Sequence, residues 1–94
     1  MQRINGVNAK NKMNYATGED VKLGDRVSLG SDSGGVVVFI IDTGEYSLDY
    51  PESRWGGHLK KGVMIHFPLY GLIHYEEAVE PDVKFIARGA ASSV

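Results

Sequence analysis

A chain of 94 residues with 43% apolar and 23% charged side chains has the composition of one ordinary globular domain, which argues against a disordered body and limits the surface removed from water on folding to about 60 to 65%. The absence of cysteine excludes disulfides, thiolate nucleophiles and cysteine-based zinc sites, and no apolar run approaches the ~20 residues of a membrane-spanning helix. The formal charge of −2 is uneven: residues 1–12 hold Arg3, Lys10 and Lys12 and no acid, so residues 13–94 carry seven basic and twelve acidic side chains, a net of −5.

An acidic body argues against nucleic acid as the partner, because a phosphate-binding surface needs a basic patch. No basic leader precedes an apolar stretch, so no signal peptide is visible and the expected location is the cytoplasm. Residues 1–12, rich in Asn and without apolar periodicity, read as a flexible N-terminal arm. A single domain is expected over 13–88, followed by a frayed tail of small residues at 89–94.

Within that domain, Tyr15, Ala16, Val21 and Leu23 are interrupted by Thr17-Gly18-Glu19-Asp20, giving a short lead and a turn. Arg26-Val27-Ser28-Leu29 alternates as a strand does, with Val27 and Leu29 facing the core. Gly30 to Gly35 is turn chemistry. The run Val36-Val37-Val38-Phe39-Ile40-Ile41 is β-branched or aromatic throughout and reads as the central strand. Both of its faces are apolar, so both need cover. Strict alternation places Val36, Val38 and Ile40 on Val27, Leu29, Ile65, Phe67 and Phe85, and turns Val37, Phe39 and Ile41 the other way.

Asp42-Thr43-Gly44-Glu45 supplies a turn. Tyr46 to Leu59 is too irregular for a helix and too rich in Pro and Gly for one strand, and is expected to form a short strand at 46–48 and then a packed loop. Val63 to Tyr75 reads as a hairpin about Pro68-Leu69-Tyr70-Gly71. Pairing 67 with 73 and 65 with 75 puts Val63, Ile65, Phe67, Ile73 and Tyr75 on one face and makes His66 and His74 cross-strand neighbours on the other. An acidic connection over Glu76 to Asp82 leads to a last strand, Val83 to Ala87. The resulting fold is all-β: a small antiparallel SH3-like barrel of five to six short strands with little or no helix, since curling limits exposed edges. An open sheet packed on segment 46–59 is the alternative.

Leu23-Gly24-Asp25-Arg26-Val27, followed by Gly34-Gly35 and Val36-Val37-Val38, resembles the start of SH3-like modules of the KOW type. That resemblance implies binding to ribosome, RNA or a transcription complex, through Arg54, Lys60, Lys61 and the arm. A longer resemblance runs from Tyr15 to Arg88 through Gly18-Glu19, Leu23-Gly24-Asp25-Arg26-Val27, Gly35-Val36-Val37, Tyr46-Ser47, Tyr50-Pro51, Trp55, Leu59, Gly62-Val63, Gly71-Leu72-Ile73-His74-Tyr75 and Asp82. Over that span the chain is similar to short uncharacterised bacterial proteins of the immunity-protein or mobile-gene-cassette type. It implies no catalytic residues.

Three groups of residues are candidates for chemistry. His66 and His74, with Glu76 and with His58 approaching from the loop, form a donor set of the type zinc or iron accepts, but no short-spaced ligand motif supports it. Ser31, Asp32 and Ser33 have no histidine placed beside them, and Gly34-Gly35 lacks the Lys-Ser/Thr of a phosphate loop. No catalytic residue and no cofactor is therefore assigned, and the chain is not expected to be an enzyme. The third group is Tyr46, Tyr50 and Trp55 interleaved with Asp42, Glu45, Asp49 and Glu52: aromatic anchors ringed by charge suit a protein interface. Carboxylates in that number complement a basic cleft. The expected function is therefore protein binding, as an immunity or antitoxin-like inhibitor of a toxin or nuclease, with homodimer formation as a further expectation. The competing reading of Trp55 and Tyr50 is structural, as cover for the second face of the central strand.

Overall fold

Among the described residues six antiparallel strands form around the β-branched run, which becomes the longest of them because its residues favour the pleated, two-sided burial it receives. The computed structural model describes residues 13–57 and 59–88; the expected arm 1–12, the expected tail 89–94 and His58 lie outside the described residues. In chain order the elements are β1 (Arg26–Leu29), β2 (Asp32–Ile40), β3 (Glu45–Tyr46), a single helical turn α1 (Glu52–Trp55), β4 (Val63–Phe67), β5 (Gly71–Tyr75) and β6 (Val83–Ala87). The strand order is β5-β4-β2-β1-β6, with β3 pairing to the far half of β2. Tyr75 from one edge strand and Val83 from the other pack in the same core cluster. The sheet therefore wraps around that core as a small barrel does, although β5 and β6 do not hydrogen-bond to each other and it is not closed.

The expected all-β architecture is present, and four local expectations need correction. First, alternation along β2 breaks. Val37 lies opposite Ile65 and Phe39 opposite Met64, so Val38 is an extra residue, a β-bulge. The bulge exchanges the faces beyond it: Val37 and Ile40 enter the cluster with Val27, Ile65 and Phe67, while Val38 and Phe39 both turn to the other side, where Val36 and Ile41 pack. The core partners named from the sequence are correct; of the β2 residues expected to face them Ile40 does, whereas Val36 and Val38 lie on the other side and Val37 takes their place.

Second, β2 begins at Asp32 and runs through the two glycines expected in a turn. Only Gly30 and Ser31 connect it to β1, with Gly30 at φ +61°, the left-handed value that a two-residue hairpin takes at its first position when it is glycine. Gly35 serves packing instead. A Cβ there would stand 2.5 Å from the Phe67 ring and 2.8 Å from Val27 Cγ2, so the missing side chain is what lets Phe67 lie against the backbone.

Third, the β4–β5 pairing is two residues tighter than expected: Phe67 opposes Gly71, Ile65 opposes Ile73 and Val63 opposes Tyr75. A shift of two preserves faces, so Val63, Ile65, Phe67, Ile73 and Tyr75 do share the core side. It separates the histidines, His66 lying opposite Leu72 and His74 opposite Met64. Fourth, strand β3 stops at Tyr46, and residues 52–55, expected as loop, make one turn of helix behind Pro51, whose carbonyl accepts from the N–H groups of Arg54 and Trp55.

Two buried carboxylates tie the chain across long sequence distances. Asp25, fully buried, accepts from the Tyr15 hydroxyl at 2.7 Å, the Lys22 N–H at 2.8 Å and Arg88 Nη1 at 2.8 Å. The Arg88 guanidinium also covers the Phe85 ring, 4.9 Å from its centroid. Asp32 accepts from the Gly34 N–H at 2.9 Å and, through its second oxygen, from the Leu69 N–H at 2.7 Å, joining the start of β2 to the β4–β5 turn. Each carboxylate thereby offsets its desolvation with charge-assisted hydrogen bonds.

Candidate functional site

The second face of β2 carries Val38 and Phe39, with Met64 from β4 beside them, and it is covered from within the chain. Cover comes from the segment between β2 and β4. Tyr46 stacks on Phe39 at 5.2 Å between ring centroids, Trp55 tilts over it at 5.5 Å and Tyr50 at 6.4 Å, with Tyr50 and Trp55 themselves 5.7 Å apart. Each such pair adds about 0.5 to 1.5 kcal/mol beyond the area it buries. Phe39 is fully buried as a result, while its three aromatic neighbours remain half-buried.

This packing divides the seven candidate interface residues into three groups. Tyr46, Tyr50 and Trp55 belong to the aromatic cover and show only their outer edges. Asp42 is engaged: its Oδ1 accepts the Gly62 N–H at 3.0 Å, pinning the far end of the loop to its start. Glu45, Asp49 and Glu52 are exposed, and of these Glu45 accepts from the Thr43 hydroxyl at 2.7 Å.

The segment also projects a residue that sequence reasoning placed in a strand. Leu48 is 98% exposed. It sits at the tip of a turn in which the Tyr50 N–H donates to the Ser47 carbonyl at 3.1 Å, while the Ser47 N–H donates to Val38 on β2 at 3.1 Å. With Tyr46 and Tyr50 both held on Phe39, the turn is fixed at each end. The signal for it in the sequence is an apolar residue at a position where turns place Ser, Asp or Gly.

Further along, Arg54, Trp55, Leu59, Met64 and His74 line an open, largely apolar groove of about 430 Å³. His74 Nε2 lies 2.8 Å from the Lys61 carbonyl, and since a carbonyl only accepts, that nitrogen carries the hydrogen. Lys61 is paired with Glu77 at 2.5 Å, and this hydrogen bond raises the lysine pKa. Lys60 is exposed. Ser31 and Ser33, weighed as nucleophiles, are exposed beside the β1–β2 turn, and Asp32 is the buried brace already described.

Burial raises the pKa of Tyr15 far into the alkaline range, and its hydrogen bond to Asp25 acts in the same direction. Tyr75 is also raised by burial, with Glu80 and Asp82 adding to the effect. Glu19 is lowered by the hydroxyl of Thr17, which donates to it. None of these groups lies on the candidate surface. Comparison with known proteins finds no matching family model, no similar curated protein and no similar solved structure.

Proposed function

We propose that this chain is a non-enzymatic protein-binding domain that acts through the segment from Glu45 to Glu52, with Leu48 as its anchor and Glu45, Asp49 and Glu52 as its charged surround. The observation that carries the reading is the presentation of Leu48. A single exposed leucine is ordinary on a protein surface, but this one is held out by a turn whose two ends are fixed to Phe39 and to β2. Ordering costs are thereby met before binding, which raises affinity for a given contact area. The partner that fits is a protein with an apolar depression rimmed by Lys and Arg. A nucleic-acid-binding cleft supplies such a basic rim, and an immunity or antitoxin-like inhibitor of a nuclease would act here by occupying it.

Charge supports the same direction: residues 13–94 carry a net of −5, which steers a basic partner and speeds encounter at low salt. Binding of RNA would rest on Arg54, Lys60 and Lys61, and Lys61 is already engaged by Glu77. The test is affinity capture from the native host with three baits: the wild-type protein, Leu48→Lys, and the triple variant Glu45→Lys/Asp49→Lys/Glu52→Lys. A basic protein retained by wild type, released as salt rises and missing from both variants supports the reading. The same set of proteins on all three baits would sink it, and recovery of the chain itself would redirect it to self-association.

A further inference from the structure

Beyond the acidic turn, the groove beside α1 has the opposite character. Its floor and walls are the Trp55 indole, Leu59 and the buried thioether of Met64, and its charged or titratable lining is Arg54 and His74, with no carboxylate among the lining residues. In a domain with twelve acidic side chains, a groove lined by an arginine and no acid selects strongly for charge. Arg54 is exposed and makes no ion pair among the described residues. Its guanidinium therefore keeps its bidentate geometry for a carboxylate.

We propose that this groove binds a small amphipathic monocarboxylate, the apolar chain lying on Trp55, Leu59 and Met64 and the carboxylate on the Arg54 guanidinium, with His74 beside it. The size agrees: a groove of about 430 Å³ falls within the roughly 300 to 1,000 Å³ usual for small-molecule sites, which are mostly apolar with a few polar groups that fix orientation. His74 supplies a fixed wall: with its Nε2–H donated to the Lys61 carbonyl the ring is held in one orientation, and because Nδ1 of that tautomer is an acceptor the carboxylate rests on Arg54 alone.

Trp55 is the only tryptophan in the chain, so all tryptophan emission comes from a wall of this groove. The experiment titrates the full-length protein with octanoate and, separately, with the uncharged octanamide, neither of which absorbs where the indole does. Octanoate is expected to change Trp55 emission saturably and to bind about tenfold more tightly than octanamide, the size of a charge-assisted hydrogen bond. Arg54→Gln, at an exposed position, should remove that preference while circular dichroism and octanamide affinity stay as in wild type. Equal affinity for the two probes, an unchanged preference in Arg54→Gln, or a response that never saturates would overturn the proposal. These outcomes do not depend on Leu48 or on any protein partner.

Discussion

The two faces of β2 are both apolar, yet the chain covers them by different means. Val37 and Ile40 meet residues from β1, β4, β5 and β6 together with Met13, Tyr15, Val21 and Val79, so contacts come from nearly the whole length of the domain. Phe39 and Val38 on the opposite face meet mainly one stretch, residues 46–59, with Met64. That stretch contributes only a two-residue strand and one helical turn of its own. The first face is where the fold is specified; the second is a local cover, and the outward side of that cover is what the molecule presents. A fold secured elsewhere leaves the cover free to carry exposed carboxylates, Leu48 and a groove.

Removing the ring beneath the cover tests this division most directly. Phe39→Ala empties a fully buried site against which three other rings pack, and a cost of about 3 to 5 kcal/mol is expected in urea unfolding. If the cover is local, the near-ultraviolet circular dichroism of Trp55 and the tyrosines should collapse while the far-ultraviolet strand signal persists at low temperature. Loss of both signals together would show that the two faces form one cooperative unit. Phe39→Asp should be more damaging still, because it would bury an unpaired charge beneath those rings.

On the other side of the comparison, Asp25→Ala leaves the Tyr15 hydroxyl, the Lys22 N–H and Arg88 without their shared acceptor. About 3 kcal/mol should be lost, and this time without any specific change in Trp55 emission. Gly35→Ala should cost about 1 to 3 kcal/mol by overpacking, since its Cβ would stand 2.5 Å from the Phe67 ring. The double variant Gly35→Ala/Phe67→Leu should recover part of that loss. No recovery would show that the glycine is required for some other reason.

Those residues also mark what the sequence could and could not convey. Strand identity was legible, because β-branched runs and apolar alternation are properties of neighbouring letters: β1, β2, β4, β5 and β6 all appear near their expected positions. Relations between distant segments were not. The Val38 bulge is set by how β2 meets β4, and nothing inside Val36 to Ile41 distinguishes it from strict alternation. Gly34 and Gly35 look the same in a sequence whether they relieve backbone strain or make room for Phe67. Asp25 and Asp32 stand where turns place aspartate, and their burial depends on Arg88 and Leu69, 63 and 37 residues away. At the candidate surface, composition marked out the segment from Asp42 to Trp55 without separating rings that pack inward from acids that stay outside.

A smaller effect comes from the raised tyrosines. Tyr15 and Tyr75 favour the neutral phenol when folded, whereas the unfolded chain titrates near the ordinary value of 10.0. A group whose folded pKa is raised contributes stability that is fully present below pH 10 and is lost as pH climbs above it. The urea midpoint should therefore fall above pH 10, and Tyr15→Phe should flatten that fall, leaving the Tyr75 part. A profile equally steep in Tyr15→Phe would show that its hydroxyl does not resist ionisation. Both tyrosines belong to the Val37–Ile40 face, so this alkaline loss should leave the ring packing on Phe39 unchanged until global unfolding.

The smallest expected effect on stability belongs to Leu48, and it separates fold from surface most cleanly. A side chain 98% exposed removes almost nothing from water in the isolated domain, so Leu48→Lys should move the unfolding free energy by no more than about 0.5 kcal/mol. It should also leave the Tyr46, Tyr50 and Trp55 signals in place, because the turn is held by backbone hydrogen bonds and by its flanking rings. In a complex the same change places a cation where an apolar contact with a basic rim is proposed, and affinity should fall by at least about tenfold. A clear loss of stability in the free protein would mean that Leu48 is part of the cover after all. Unchanged stability with lost binding would place recognition on the outer side of the cover, apart from the residues that hold it down.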